Sequence, residues 1–93
     1  MIRSFRDKTT ELVFDAKCPK GFPAQIFAVA RRKLEAIAAA EQLTDLMRPP
    51  GDRLEALSGD RSGQYSIRIN DQFRICFNWS NNAAENVEIV DYH

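Results

Sequence analysis

A chain of 93 residues has the length for one domain with a modest core, and we expect residues 1–93 to form that single domain. Hydrophobic residues make up 44% of the chain and charged residues 28%, a composition that excludes a disordered protein and a membrane protein. The formal net charge of zero argues against indiscriminate attraction to nucleic acid.

The N-terminus and the two cysteines predict where the protein works. Charged side chains at Arg3, Arg6 and Asp7 interrupt the first residues, so we expect no signal peptide. Cys18 and Cys76 lie far apart and outside any CxxC spacing, which favours neither a disulfide framework nor a zinc site. We therefore expect a cytoplasmic protein with no membrane span and no cofactor.

The first half of the chain carries helical patterns. Residues 7–16 predict a short helix after an extended lead-in at residues 1–5, and a proline and a glycine within residues 18–22 end it. The segment from Pro23 to Ala40 predicts a longer helix, because its apolar residues recur every three or four positions. These residues are Ile26, Val29, Ala30, Leu34 and Ile37. Residues 41–47 predict one or two more turns before a Pro-Pro-Gly break.

The second half changes to a period of two, which is typical of half-buried strands. A short strand is expected at residues 54–57 and a turn at residues 58–63. Residues 64–69 and 73–79 alternate between apolar and polar side chains on either side of a tight hairpin at Asn70–Asp71.

The last part of the chain predicts a further strand. A polar loop is expected at residues 80–85, and Val87 and Ile89 then mark the strand that closes the set. The sequence therefore predicts an α+β fold, in which N-terminal helices pack on one face of a small, mainly antiparallel, twisted sheet.

Strand alternation predicts which side chains face away from the helices. The outward set is Ser66, Arg68, Arg74, Cys76 and Asn78, with Glu88, Val90 and Tyr92 in the last strand. Arg68 and Arg74 flank the hairpin, and Tyr92 shares their surface if the last strand pairs beside them. Asp91 and His93 have the opposite parity, so they reach that surface only around the strand end.

Arg74, Tyr92 and His93 together offer the chemistry that RNA cleavage needs. A guanidinium grips phosphate with a planar fork, and His93, the only histidine, carries the side chain that titrates near neutrality. When the 2′-hydroxyl of RNA attacks the neighbouring phosphodiester, cleavage needs a proton acceptor, a cation for the developing charge and a proton donor for the leaving oxygen. Arg74 suits the cation, and Tyr92 and His93 suit the proton transfers. An RNA-binding sheet without catalysis would show the same pattern.

Two segments carry a family resemblance. The stretch RLEALSGDRSGQYSIRINDQFRICFNW and the terminal VEIVDYH resemble the HigB toxins of the RelE/ParE superfamily of bacterial toxin–antitoxin systems. The likeness includes the opening MIRSF and so covers nearly the whole chain. It implies a metal-independent endoribonuclease that enters the ribosomal A site, cuts messenger RNA and inhibits translation. It also implies a HigA-like helix-turn-helix antitoxin as partner. Operator DNA would be contacted only through that antitoxin.

The resemblance also assigns roles to residues. It implies that Arg74 holds the scissile phosphate, and that Asp91, Tyr92 and His93 transfer protons and position the base. Arg61, in the Gly-Asp-Arg turn, matches a basic position that meets ribosomal or messenger phosphates.

Two further arginines and two residues that differ from the family's usual ones also bear on RNA binding. We expect Arg53 and Arg68 to contact RNA as well. Glu55 and Ser58 stand where several relatives have a histidine and a lysine. Losing an imidazole and a cation from the site implies slower cleavage and a mild toxin.

Two other functions stay open at this point. The same superfamily includes toxins of the ParE type, which inhibit DNA gyrase without cleaving RNA. The chain is alternatively a silent binding subunit. For an antitoxin, the charged side of the helix from Pro23 to Ala40 and the short N-terminal helix are both plausible docking surfaces.

Overall fold

The structure is a computed structural model that describes residues 1–47 and 52–91. Its two α-helices are α1 (Lys8–Phe14) and α2 (Ala24–Ala39). Short 3₁₀ turns lie at Leu43–Leu46 and Gly59–Arg61. The strands are β1 (Glu55–Ala56), β2 (Gln64–Arg68), β3 (Phe73–Ser80) and β4 (Ala83–Asp91). The break predicted after residue 47 lies outside the described residues.

The four strands form one sheet in the order β1-β2-β3-β4, with antiparallel pairing throughout. The N-terminal segment runs parallel to β4 and makes isolated bridges from Ile2 to Ala84 and from Phe5 to Val87. The predicted α+β fold, with helices before a meander of strands, is confirmed. No helix among the described residues is long and apolar enough to cross a membrane.

Both helices form where the sequence predicts them. The Asp7 side chain caps α1 by accepting a hydrogen bond of 2.7 Å from the backbone N–H of Thr10. Pro23 lies at the N-cap of α2, and the helix begins at the next residue. The chain leaves α1 through Ala16, whose φ of 66° turns it away from the helix axis.

The core lies between α2 and one face of the sheet. Ile26, Leu34 and Ile37 of α2 are buried, and they join a cluster that includes Ile67 and Ile75. Burying side chains of this size stabilises the fold by about 1.5–3 kcal/mol each. The apolar side chains of the two alternating segments, residues 64–69 and 73–79, therefore face the helices, which places the polar side chains on the other side of the sheet.

The predicted loop over residues 80–85 is wrong. Strand β3 continues to Ser80 and β4 begins at Ala83, so Asn81 and Asn82 alone form the turn. Their φ angles of 51° and 60° match a two-residue hairpin turn, whose twist suits antiparallel strands. Asparagine tolerates this left-handed region better than most residues. The polar residues 80–85 therefore form a tight turn at Asn81–Asn82, with the end of β3 before it and the start of β4 after it.

Candidate active site

The sheet face opposite the helices is termed the arginine face. It carries Gln64, Ser66, Arg68, Arg74, Cys76 and Glu88. Residues paired across antiparallel strands point to the same side of the sheet. The observed pairs include Arg68 with Arg74, and Cys76 with Glu88. The predicted outward orientation is therefore confirmed for Ser66, Arg68, Arg74, Cys76 and Glu88.

The guanidinium of Arg74 is held in one orientation on this face. Only 9% of the residue is exposed. Its Nε donates a hydrogen bond of 2.7 Å to Ser66 Oγ, and its Nη2 donates one of 2.7 Å to the backbone oxygen of Arg53. The carboxylate of Glu55 lies 3.9 Å from Nη2. None of the described residues accepts a hydrogen bond from Nη1, so this nitrogen keeps its donors for an anion.

Arg68 lies next to this anchored guanidinium. It pairs directly with Arg74 across β2 and β3, and its own side chain forms an ion pair with Asp71. Asp71 is almost fully exposed, so water screens that ion pair strongly. Two guanidinium groups on neighbouring strands repel each other, and a bound phosphate would relieve that repulsion.

Arg61 covers the other end of the arginine face. Its Nη1 donates to Gln64 Oε1 at 3.0 Å and to Glu88 Oε2 at 3.1 Å. The same Glu88 oxygen lies 3.6 Å from Nε of Arg6, which comes from the segment before α1. One carboxylate therefore holds two arginines from distant parts of the chain at this end of the face.

Cys76 lies fully buried between these two groups of arginines. Burial raises the pKa of its thiol, because the thiolate is poorly solvated there. The guanidinium of Arg61 lowers that pKa, Glu88 raises it and Arg74 lowers it, each to a smaller degree than burial. The thiol thus stays protonated near neutral pH and serves as part of the floor of the face.

The end of the last strand lies beside Arg74. Val90 pairs with Arg74, and Asp91 pairs with Phe73. The end of β4 thus pairs beside Arg74 as expected, whereas the guanidinium itself reaches across β2 to the Arg53 carbonyl. The predicted residues Tyr92 and His93 lie outside the described residues.

The Asp91 side chain faces the helix side, away from Arg74. It accepts a hydrogen bond of 3.2 Å from Nε2 of Gln72. It also lines a cleft of about 430 Å³ together with Phe22, Phe73 and Ile89. The structure therefore brings Arg61, Arg68 and Arg74 to one face and places Asp91 on the other.

Arg53 contributes to the site through its backbone. The residue is exposed, and its φ of 45° is in the left-handed region, which is uncommon for a residue other than glycine. This conformation accompanies the hydrogen bond from its carbonyl oxygen to Arg74.

Several residues of the site received no role from the sequence, among them Ser66, Glu88 and Arg6. Parity placed Ser66 and Glu88 on the correct face, but nothing in the sequence showed that each one binds an arginine. Arg6 gave no signal, because it reaches Glu88 only after the N-terminal segment has aligned with β4.

Comparison with known proteins matches the amino-acid sequence to a family. Residues 3–93 match the family described as "RelE-like toxin of type II toxin-antitoxin system HigB". "Toxin HigB-1" of Vibrio cholerae is 40% identical over 87 residues, which cover 92% of each chain. "Endoribonuclease HigB" of Proteus vulgaris is 36% identical over the full length of both chains.

Among solved structures, the fold is shared with a chain of the YoeB-YefM complex from Staphylococcus aureus. The TM-score is 0.62 over 100% of this chain and 98% of the other, at 15% sequence identity. That likeness concerns the fold alone.

Proposed function

Because the chain belongs to the HigB-like toxin family of type II toxin–antitoxin systems, we propose that it is an endoribonuclease that cuts messenger RNA on the ribosome. The observation that carries this proposal is the guanidinium of Arg74, anchored by Ser66 and by the Arg53 carbonyl with Nη1 still available. A relative that matches over its whole length is named an endoribonuclease, which supports the same conclusion.

In this proposal Arg74 binds the scissile phosphate. The 2′-oxygen of the preceding ribose attacks phosphorus, the bond to the 5′-oxygen breaks, and a cyclic phosphate remains on the upstream fragment. Negative charge grows on the phosphate oxygens in the transition state, and a fixed guanidinium stabilises it without reorganising. The cation is supplied by the protein itself, so the step needs no metal.

Proton transfer is assigned to the C-terminal residues. One group must take the proton of the 2′-hydroxyl, and another must give a proton to the 5′-oxygen. We assign these roles to Tyr92 and His93, with the ring of Tyr92 also able to stack on a base. Asp91 belongs to the same predicted set, and its hydrogen bond with Gln72 suits a role in fixing the end of β4.

The other arginines of the site are assigned to binding. Arg68 and Arg61 would contact phosphates on either side of the cleavage point, and Arg53 would contact RNA at the exposed edge of the sheet. Arg61 would then exchange its Glu88 and Gln64 partners for phosphate oxygens. Binding of this kind weakens as salt rises, because phosphate contacts release counterions.

The partners follow from the same proposal. Messenger RNA is met in the ribosomal A site, which places the protein in the cytoplasm. A helix-turn-helix antitoxin of the HigA type restrains the toxin, and operator DNA is contacted only through that antitoxin. Expression of the chain without the antitoxin should stop translation.

Primer extension on a translated message tests the proposal. The wild-type protein should cut, and Arg74→Ala and His93→Ala should each lose about 10²–10⁴-fold in rate. Arg32→Ala, on the exposed side of α2, is the matched control and should cut normally. Equal cutting by all four proteins would remove Arg74 and His93 from the mechanism.

Inhibition of DNA gyrase is the competing function, and the family match and the named endoribonuclease do not favour it. A supercoiling assay with purified gyrase separates the two. Inhibited supercoiling together with intact message would favour the ParE type of action. If the protein neither cuts message nor inhibits supercoiling, the result would indicate a silent binding subunit.

A further inference from the structure

An ion pair joins α2 to the segment that leads into β1. Lys33 of α2 binds Asp52, and the two side chains are 16% and 4% exposed. Burying two charges is costly, and apolar residues of similar size often stabilise a fold as well as such a pair does. Stability alone therefore explains this pair poorly, and its effect on local geometry is the better explanation.

The residue after Asp52 has a strained backbone. Arg53 has a φ of 45°, a left-handed conformation that its side chain disfavours. Such a conformation persists only where the surrounding structure fixes it on both sides. The Lys33–Asp52 pair fixes the chain before Arg53, and the pairing of Glu55 with Ser66 fixes it afterwards.

The strained residue is the one that holds Arg74. The carbonyl oxygen of Arg53 accepts a hydrogen bond of 2.7 Å from Nη2 of Arg74. Without this bond the guanidinium would keep its hydrogen bonds with Ser66 and a looser contact of 3.9 Å with the exposed Glu55 carboxylate, which would let it shift. A continuous set of contacts therefore runs from Lys33 through Asp52 and Arg53 to Arg74.

We propose that Lys33 and Asp52 are positioning residues for Arg74: their ion pair holds the Arg53 carbonyl where it fixes the guanidinium for the scissile phosphate. The inference rests on the proposed function of Arg74, and it adds a role for two residues that do not reach the arginine face. Loss of the pair lets Arg53 relax, so that Nη1 points away from the phosphate.

Steady-state kinetics test this role. Lys33→Met should lower kcat by about 10–100-fold with KM nearly unchanged, since misplacement by about 1 Å is enough for that loss while the binding arginines remain. Lys33→Arg keeps the positive charge and should recover most of the activity. Arg31→Met, which breaks the exposed pair with Glu35 on the same helix, is the control and should cut normally.

Nuclear magnetic resonance gives a readout that does not depend on cleavage. The Nε–H of Arg74 should give a distinct signal that is absent from Arg74→Lys. In Lys33→Met this signal should move and broaden, whereas in Arg31→Met it should not. If the Arg74 signal responds to Lys33→Met in this way but the wild-type protein does not cut RNA, the positioning role stands and the proposed function falls. An unchanged signal and unchanged kcat in Lys33→Met would overturn the inference.

A second pair of variants covers the case in which Lys33→Met does not fold. Arg53→Gly and Arg53→Asn remove the same side chain, but glycine relaxes freely and asparagine still favours the left-handed region. We expect Arg53→Asn to keep the Arg74 signal and a higher kcat than Arg53→Gly, with both proteins folded. Identical signals and identical kcat values in the two variants would contradict the role of the Arg53 backbone.

Discussion

Arg68 and Arg74 occupy directly opposed positions on β2 and β3, and both side chains lie on the arginine face. Like charges at opposed positions destabilise a sheet, and the effect is typically a fraction of a kcal/mol. A fold that keeps both cations therefore gives up some stability for a surface that attracts an anion.

Replacing Arg68 with glutamine should separate binding from stability. Removing one of two opposed cations should leave the free energy of unfolding unchanged or raise it by about 0.5 kcal/mol. The KM for RNA should rise at the same time, because a phosphate contact is lost. Urea unfolding and cleavage kinetics measure the two effects, with exposed Arg32→Gln as the control. A loss of more than about 1 kcal/mol would show that Arg68 stabilises the sheet.

Glu55 should weaken RNA binding. Its carboxylate lies 3.9 Å from Arg74 Nη2 and is 58% exposed, so it competes with phosphate for the same guanidinium. Glu55→Gln removes the charge and keeps the shape, and we expect a lower KM with an unchanged kcat. A fall in kcat of tenfold or more would instead identify Glu55 as the group that accepts the 2′-hydroxyl proton.

Thr10 should stabilise the last strand. Its side chain is fully buried, and Oγ1 accepts a hydrogen bond of 3.0 Å from the backbone N–H of Ile89. Thr10→Val keeps the shape and leaves that amide without a partner, which should cost about 1–3 kcal/mol of unfolding free energy. Exposed Thr9→Val on the same helix is the control. Equal denaturation midpoints for the two variants would refute this role.

The two thiols should differ strongly in reactivity. Cys18 is exposed, whereas Cys76 is buried and has a raised pKa that keeps it protonated. A thiol reagent at about pH 8 should therefore label Cys18 first, and label Cys76 only as fast as the protein opens. Mass spectrometry of the labelled protein, with a denatured sample as control, measures this difference. Equal rates in the native protein would show that the floor of the arginine face is open.

Much of the fold could be predicted because its signals are local. The Asp7 cap, the apolar stripe of α2 and the alternation of β2 and β3 each depend on neighbouring residues. The turn at Asn81–Asn82 was missed for the same reason. Polar residues favour a loop by composition, but their left-handed conformation allows the hairpin to close within two residues.

The candidate site was only partly predictable. Strand parity is strict, so the placement of Arg68 and Arg74 on one face followed from the sequence. The contacts of Arg61 with Glu88 and of Lys33 with Asp52 did not follow. Each joins residues that are separated in the chain and belong to different elements, so it depends on how those elements pack.

The sequence by itself determined the helices, the order of the strands and the residues that face away from the core, because hydrophobic periodicity and strand alternation are properties of short segments. Only the tertiary structure decided that Arg74 is anchored by Ser66 and the Arg53 carbonyl, and that Glu88 binds both Arg6 and Arg61. Those outcomes depend on the register between strands and on contacts between residues far apart in the chain, such as the ion pair of Lys33 with Asp52 next to Arg53, and no single segment encodes either one.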